Sequence, residues 1–421
     1  MSEPFPVPDG WRKTRLQSLL YRPLAYGVLK PGDFVPAGVP ILRIQDLRSG
    51  SLDPAALHRV SEALHREYKR TALNPGDLIV SLVGTIGKVL EIPQWLANGN
   101  VSRAFGVLGI KREHWRDYIR HYLTSDGVQA WFGEEAQGNA QKVLNLNVFR
   151  GLEVLLPPLP EQRKIAEVLS SVDAAIEKTE ALIEKLRDLK QAMMQELLTK
   201  GIGHTRFKDS PIGRIPAEWE VVRLGEASVE VLDGDRGKEY PKEKDFKGAG
   251  HCLFLSAKNV TKEGFRFDER VFVGKNRHER MGKGELERDD IVITTRGTLG
   301  NIALYDCLVP YQTVRINSGM AILRTRGSID SRYLYQLLRA GVVQEQIRLA
   351  AFGSAQPQLT IGILKRLRVP LPPTGEQQII LSSLLSCGNR TRSAIMRFHQ
   401  LHILKKALMQ DLLTGRVRVK V

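Results

Sequence analysis

Cysteine is scarce in this chain. The three thiols, Cys252, Cys307 and Cys387, lie far apart. That arrangement fits neither a zinc-ligand spacing nor a disulfide framework, so a reducing cytoplasm and plain core roles are expected for them. No run of about 20 apolar residues is available to span a bilayer. The opening MSEPFPVPDGW lacks the basic-then-apolar order of a secretory signal. The nine histidines include no pair at metal-ligand spacing. Acidic residues are also in deficit: 46 Asp+Glu face 62 Lys+Arg, a formal net charge of +16, which calls for a polyanionic partner, either nucleic acid or an acidic membrane surface.

Catalytic signatures are missing too. Gly84 to Lys88, GTIGK, has two residues between its glycines and Val89 after its lysine, whereas a phosphate-binding Walker loop needs four and a Ser or Thr. A strand-end turn bringing backbone close to a DNA phosphate fits better. Asp53 with Glu67-Tyr68-Lys69 only loosely resembles a nuclease site, and ALHREYKR reads as a solvated helix face. Neither an Asn-Pro-Pro-Tyr-like sequence nor a Gly-rich cofactor motif for methyl transfer is found. The chain is expected to bind and do no chemistry.

What the chain does have is a repeat. LPPLPEQRKIAEVL from Leu156 returns as LPPTGEQQIILSSL from Leu371, and AMMQELLT from Ala192 as ALMQDLLT from Ala407. GNAQKVLNLNVFRGLEVLLPP from Gly138 matches GSAQPQLTIGILKRLRVPLPP from Gly353. Further upstream the offset drifts, as loop insertions would make it. LNPGDLIVSLVGTIGKV from Leu73 meets LERDDIVITTRGTLGNI from Leu286, and PDGWRKTRLQS from Pro8 meets PAEWEVVRLGE from Pro216. One unit of about 200 residues is duplicated.

Each copy divides in two. Residues 1–155 and 203–370 mix short strand-like runs with Gly, Pro and Asn turns. DLIVSLVG and DIVITTRG read as strands closed by Gly-Thr-x-Gly. Residues 156–202 and 371–421 carry apolar residues at heptad spacing: Ile165, Leu169, Val172, Ile176, Thr179, Ile183 and Leu186 in one, Ile380, Leu384, Cys387, Thr391 and Ala394 in the other. Each spacing predicts a helix of roughly 35–40 residues, with Gly201 or Gly415 at its end and Gly388-Asn389 loosening the second. So long a stripe needs a partner stripe. The expected fold is mixed α+β: two α/β globules separated by two long helices packed as an antiparallel coiled coil, with an internal pseudo-twofold repeat. Lys190 and Lys405 occupy core-type heptad positions, where a lysine either sets register or snorkels at the seam edge.

Together, the doubled LPPLxEQ-like helix start, the helix ending in QELLTKGI, the following GHTRFKDSPIGRIPAEW, and the Gly-Thr-x-Gly and GxAQ segments resemble the specificity subunit of type I restriction-modification systems, over essentially the whole chain. The one departure is Thr374-Gly375 where the first copy has Leu159-Pro160. The resemblance implies two target recognition domains, each reading half of a bipartite double-stranded DNA site. The helices would set the spacing and dock two methyltransferase subunits, and restriction (translocase and nuclease) subunits would join that core. It also implies that this chain binds no cofactor. S-adenosylmethionine would belong to the methyltransferase, ATP and Mg to the restriction subunit.

Base reading favours Arg and Lys on guanine and Asn and Gln on adenine. By side-chain type, position beside turns and recurrence, the DNA-contact candidates are Arg43, Gln45, Lys88, Arg103, Gln141 and Lys142 in the first globule. In the second they are Lys258, Asn259, Arg296, Thr298, Asn301, Arg315 and Gln356. Gly138 and Gly353, with Gln141 and Gln356, are alternatively the residues that hold each globule to its helix. Glu161-Gln162 and Glu376-Gln377 either complement a helix start or dock the partner. Two other classes stay open: a self-sufficient DNA methyltransferase or nuclease, and a structural coiled-coil scaffold.

Overall fold

The structure is a computed structural model that describes residues 7–47, 52–138, 142–327, 329–351 and 358–420. It divides into two compact units, Met1–Ala181 with Ile395–Val421, and Leu182–Ala394. Each long helix is therefore shared: its first half belongs to one unit and its second half to the other.

In unit 1 the strands are β1 (Arg12–Arg15), β2 (Val39–Leu42), β3 (His58–Val60), β4 (Leu78–Ser81), β5 (Val89–Glu91), β6 (Asn100–Val101), β7 (Phe105–Leu108) and β8 (Glu153–Leu156). The helices are α1 (Glu62–Glu67), α2 (Arg116–Leu123), α3 (Asp126–Glu135), α4 (Leu146–Arg150) and the first half of α5 (Leu159–Lys200). Three small sheets result, ordered β3-β2-β6, β5-β4-β7 and β1-β8. The last is antiparallel, with Arg12 opposite Leu156. β2 runs parallel to β6 and antiparallel to β3.

Unit 2 repeats this plan with additions. Its strands are β9 (Phe207–Ser210), β10 (Gly213–Pro216), β11 (Glu220–Arg223), β12 (Val229–Asp233), β13 (Cys252–Leu255), β14 (Val260–Thr261), β15 (Gly264–Phe265), β16 (Phe272–Val273), β17 (Ile291–Thr294), β18 (Ile302–Leu304), β19 (Val314–Ile316), β20 (Met320–Thr325) and β21 (Arg368–Leu371). Its helices are α6 (Lys275–Arg280), α7 (Ser331–Arg339), α8 (Gly341–Ala351), α9 (Ile361–Arg366) and the first half of α10 (Thr374–Leu412). Sheets β16-β13-β19, β18-β17-β20 and β11-β21 reproduce the three of unit 1 strand for strand. β12 extends the second of them, and the hairpins β9-β10 and β14-β15 have no counterpart among the described residues.

The long helices pack by their heptad stripes. On α5, Ile165, Leu169, Val172, Ile176, Thr179, Ile183 and Leu186 are buried, as are Ile380, Leu384, Cys387 and Ala394 on α10. The start of α5 enters the core of unit 1 beside Leu412 and Leu413 from the end of α10. The start of α10 enters the core of unit 2 beside Leu198 from the end of α5. Within each unit a helix start meets a helix end, so the pair is antiparallel. Spanning 42 and 39 residues, the helices are about 60 Å long at 1.5 Å per residue. Contrary to expectation, Gly388 and Asn389 do not break α10. The neighbouring Cys387 and Ala394 are buried, and that packing outweighs the weak helix propensity of one glycine.

The two seam lysines differ. Lys405 Nζ reaches Asp173 Oδ1 at 2.6 Å. By the 215-residue offset, Asp173 corresponds to Gly388 and Lys405 to Lys190, so the position that supplies the carboxylate to Lys405 is a glycine opposite Lys190. Burial lowers the pKa of Lys190 and the nearby Arg339 lowers it further. A Cβ added at Gly388 would meet nothing within 4 Å. Gly388→Asp is therefore expected to stabilise unit 2 by about 0.5–1.5 kcal/mol, from helix propensity and a half-buried ion pair. Gly388→Asn, which has a helix propensity close to that of Asp but no charge, is the comparison. If both raise the melting temperature equally, the pair does not form.

Candidate nucleic-acid interface

Each helix start is locked to its globule by the same chemistry. In unit 1, Trp11 Nε1 donates to Glu161 Oε2 at 3.0 Å, and the Arg418 guanidinium grips the same carboxylate through Nε (2.7 Å) and Nη2 (2.9 Å). In unit 2, Trp219 Nε1 donates to Glu376 Oε2 at 2.8 Å, and His204 Nε2 lies 2.8 Å from Glu376 Oε1. The adjacent glutamines are also spent within their units. Gln162 accepts from Trp115 N and donates to Pro157 O, while Gln377 accepts from Asp330 N and donates to Pro372 O. Arg418 and His204 hold matching places, each three residues beyond the glycine that ends a long helix. Gly415 and Gly201 take the left-handed φ of +72° and +67°, and a Cβ at Gly201 would lie 2.4 Å from Glu376 Oε1. Glu161, Gln162 and Gln377 are buried, at 3%, 3% and 1% exposure, so the Glu-Gln pairs orient globule on helix.

The Gly-Thr-x-Gly turns are likewise built twice. Gly84 and Gly87 have φ of +76° and +81°, Gly297 and Gly300 +73° and +76°, a conformation that side chains with a Cβ avoid. Inside each turn a hydroxyl, Ser81 or Thr294, donates to the carbonyl of Thr85 or Thr298 and accepts from Lys88 N or Asn301 N. Gln129 on α3 donates to Gly87 O at 2.9 Å, and Gln344 on α8 to Gly300 O at 3.3 Å. Two rigid turns thus project at corresponding places in the two units.

The candidate side chains divide by environment. Gln45, Lys88, Arg103 and Lys142 are exposed in unit 1, although Lys88 Nζ also donates to Leu47 O at 3.5 Å. Arg43 is half-buried and tied to Asp46. Arg296 and Thr298 stand exposed on the second turn. Lys258 is exposed and paired with Glu269 at 2.8 Å. Asn301 is partly covered, its Nδ2 donating to Val260 O. Asn259 and Arg315 face inward at 4% exposure each. Asn259 ties Ser256 N to Arg266 O and Glu269 O. Arg315 donates to His278 Nδ1, Lys283 O and Glu285. Those two hold the fold, because a buried guanidinium or amide must satisfy its donors internally. Gln141 and Gln356 lie outside the described residues. Among the described residues no group of three or more His, Cys, Asp and Glu could hold a metal, and no helix is long and apolar enough to cross a membrane.

The family model for the type I restriction-modification DNA specificity domain matches residues 29–187 and again 216–395, once on each copy of this architecture. The chain belongs to that family. It is similar to the type I restriction enzyme MjaVIII specificity subunit of Methanocaldococcus jannaschii, 29% identical over 301 residues covering 69% of this chain and 68% of that one. Among solved structures, a chain from work on complex assembly and conformational transition of the type I R-M system shares the fold with a TM-score of 0.63 at 18% identity, covering 98% of this chain and all of that one. The HsdS subunit from Thermoanaerobacter tengcongensis gives 0.52 at 18% identity over 99% of both chains. As a type I specificity subunit, the chain is a DNA-recognition component of a restriction-modification system.

Reasoning from sequence missed Trp11, Trp219, His204 and Arg418 as partners of the Glu-Gln pairs. A signal existed: the tryptophans recur in PDGW and PAEW, the only such matches upstream of β1 and β11.

Proposed function

We propose that each unit reads one half of a bipartite site in double-stranded DNA, and that the chain supplies recognition while its partners supply chemistry. Methyltransferase subunits, carrying S-adenosylmethionine, methylate adenine. Restriction subunits, using ATP and Mg, join the same core. The complex works on chromosomal DNA in the cytoplasm. The observation that carries this reading is the repetition of one recognition architecture, down to the Glu–Trp lock, on two helix starts within one basic chain. Exposed apolar residues on the helices support a role in docking. Leu182 and Leu189 on α5, with Ile379, Met396 and Ile403 on α10, are 48–70% exposed, and water-facing apolar residues on a rigid helix suit a partner surface. The test is methylome sequencing of methylation-free cells expressing this chain with its methyltransferase, beside cells lacking this chain. N6-methyladenine confined to one split motif, and only when both proteins are present, is the expected result. Methylation by this chain alone, or by the methyltransferase alone at the same motif, would overturn the reading.

A further inference from the structure

A fold used twice to read two different sequences must keep the residues that build it and change the exposed residues that meet the bases. One face of each unit does this. In unit 1 it is made of the loop after Gly27, the turn joining β6 to β7, and the Gly-Thr-x-Gly turn after β4. Val28 N donates to Val101 O at 2.8 Å and Arg103 N to Val28 O at 2.9 Å, joining the first two segments. Leu82 N donates to Ala104 O at 2.7 Å, joining the third. In unit 2 the same three segments lie side by side. Arg236 Nη2 donates to Ser318 O at 3.4 Å, and Thr295 N and Arg296 N donate to Gly319 O at 2.8 and 3.2 Å. The glycine that permits the close crossing is shared: a Cβ would lie 2.1 Å from Val101 O at Gly27 and 2.3 Å from Asn317 O at Gly234.

On this common backbone the side chains change class. Two residues after the crossing glycine stands Leu29 in unit 1, 53% exposed, and Arg236 in unit 2. The position before the Gly-Thr-x-Gly turn is Val83 in one and Arg296 in the other. Val83 is partly buried against the core of unit 1 and bridged to Val143, which is 38% exposed. At the position matching Val143 stands Gln358, and with its amide oxygen turned toward the guanidinium it accepts from Arg296 Nη2 at 3.1 Å and Nε at 3.2 Å. Both arginines are thus held in place while exposed. Gln358 leaves the Nη1/Nη2 fork of Arg296 free. Arg236 is tethered to Asp233 at 3.0 Å on a loop pinned by buried Asp235, which accepts from Gly237 N, Gly282 N and Lys283 N. Preorganisation of this kind reduces the ordering cost of binding, and an arginine fork matches the O6 and N7 acceptors of guanine, whereas an apolar side chain matches the thymine methyl.

We propose that this face reads the bases, with Arg236 and Arg296 each recognising a guanine in the half-site of unit 2, and the exposed Leu29 and Val143 lying against thymine methyl groups in the half-site of unit 1. The inference rests on the bipartite reading above and goes beyond it by naming the side chains and the bases. The test uses the full chain with its methyltransferase in methylation-free cells, comparing methylated motifs of wild type, Arg236→Ala, Arg296→Ala, Arg296→Lys, and Arg296→Val combined with Gln358→Val. Each arginine variant is expected to make one guanine position degenerate, with discrimination there falling about 5- to 150-fold. Both positions lie in the same half-site, and the other half-site is unchanged. Arg296→Lys keeps the charge but loses the fork, and should also degenerate that position. The arginines face solvent, so melting temperatures should match wild type and exclude misfolding as the cause. An unchanged motif, a uniform loss of methylation without degeneracy, or changes in both half-sites would overturn the assignment. If wild type itself shows no split motif, the bipartite reading fails and takes this inference with it. A split wild-type motif that the variants leave intact sinks only the inference.

Discussion

Glu161→Ala lowers the melting temperature of unit 1 by about 5–15 °C, the equivalent of about 2–4 kcal/mol in a unit of this size. The carboxylate is 3% exposed and takes both the Trp11 indole N–H and the Arg418 guanidinium. Truncation leaves the indole donor without an acceptor in a buried place and removes the anion facing Arg418, and stranding a buried partner costs more than a typical hydrogen bond is worth. Glu161→Gln should cost less, because an amide oxygen still accepts from Trp11. In unit 2, Glu376→Ala should behave alike, losing Trp219 and His204 together. Calorimetry of the three variants checks this. If Glu161→Ala and Glu161→Gln melt together at the wild-type temperature, water replaces the carboxylate and the lock is not structural.

The lock shows how far the sequence could be read. The heptad stripes and the Glu-Gln pairs were legible because helical spacing is local: residues three, four and seven apart share a face whatever the rest of the chain does. That Glu161 answers Trp11 and Arg418 was not, since those partners stand 150 and 257 residues away along the chain. The DNA-contact candidates meet the same limit. Arg296 and Arg103, chosen for type and turn position, are exposed, but Asn259 and Arg315, chosen by the same rule, turn inward to hold loops. Residue type beside a turn does not reveal side-chain direction. Arg236 escaped notice because the repeat offset there is 207, outside the blocks aligned at 208 and 213. Only the shared close crossing at Gly27 and Gly234 restores the correspondence.

Where the duplicate copies differ in the core, one chemical asymmetry has a measurable pH signature. His121 on α2 is fully buried, and its counterpart 215 residues on is Gln336, buried at 7% exposure. Burial, and then the adjacent Arg120, lower the pKa of His121 from 6.5 to about 4, and Asp173 opposes this only in part. The Asp173 carboxylate is already engaged by Lys405 at 2.6 Å and stands 3.9 Å from His121 Nδ1. Arg120 Nη2 lies 3.3 Å from His121 Nε2, and since a guanidinium can only donate, that ring nitrogen accepts and the folded imidazole is neutral. The unfolded chain takes up a proton as pH drops below 6.5, whereas the folded chain resists until about pH 4. Stability present above pH 6.5 is therefore lost progressively as pH falls through that window, by about 2–3 kcal/mol at pH 4.5. His121→Gln installs the residue of the other copy, which carries no such proton. Urea unfolding of unit 1 at pH 7 and pH 4.5 should show the wild type losing about 2–3 kcal/mol more than the variant over that interval. Equal losses would mean that His121 is protonated in the folded state, through water or a shift of Arg120, and that the burial of its ring does not govern the acid sensitivity of unit 1.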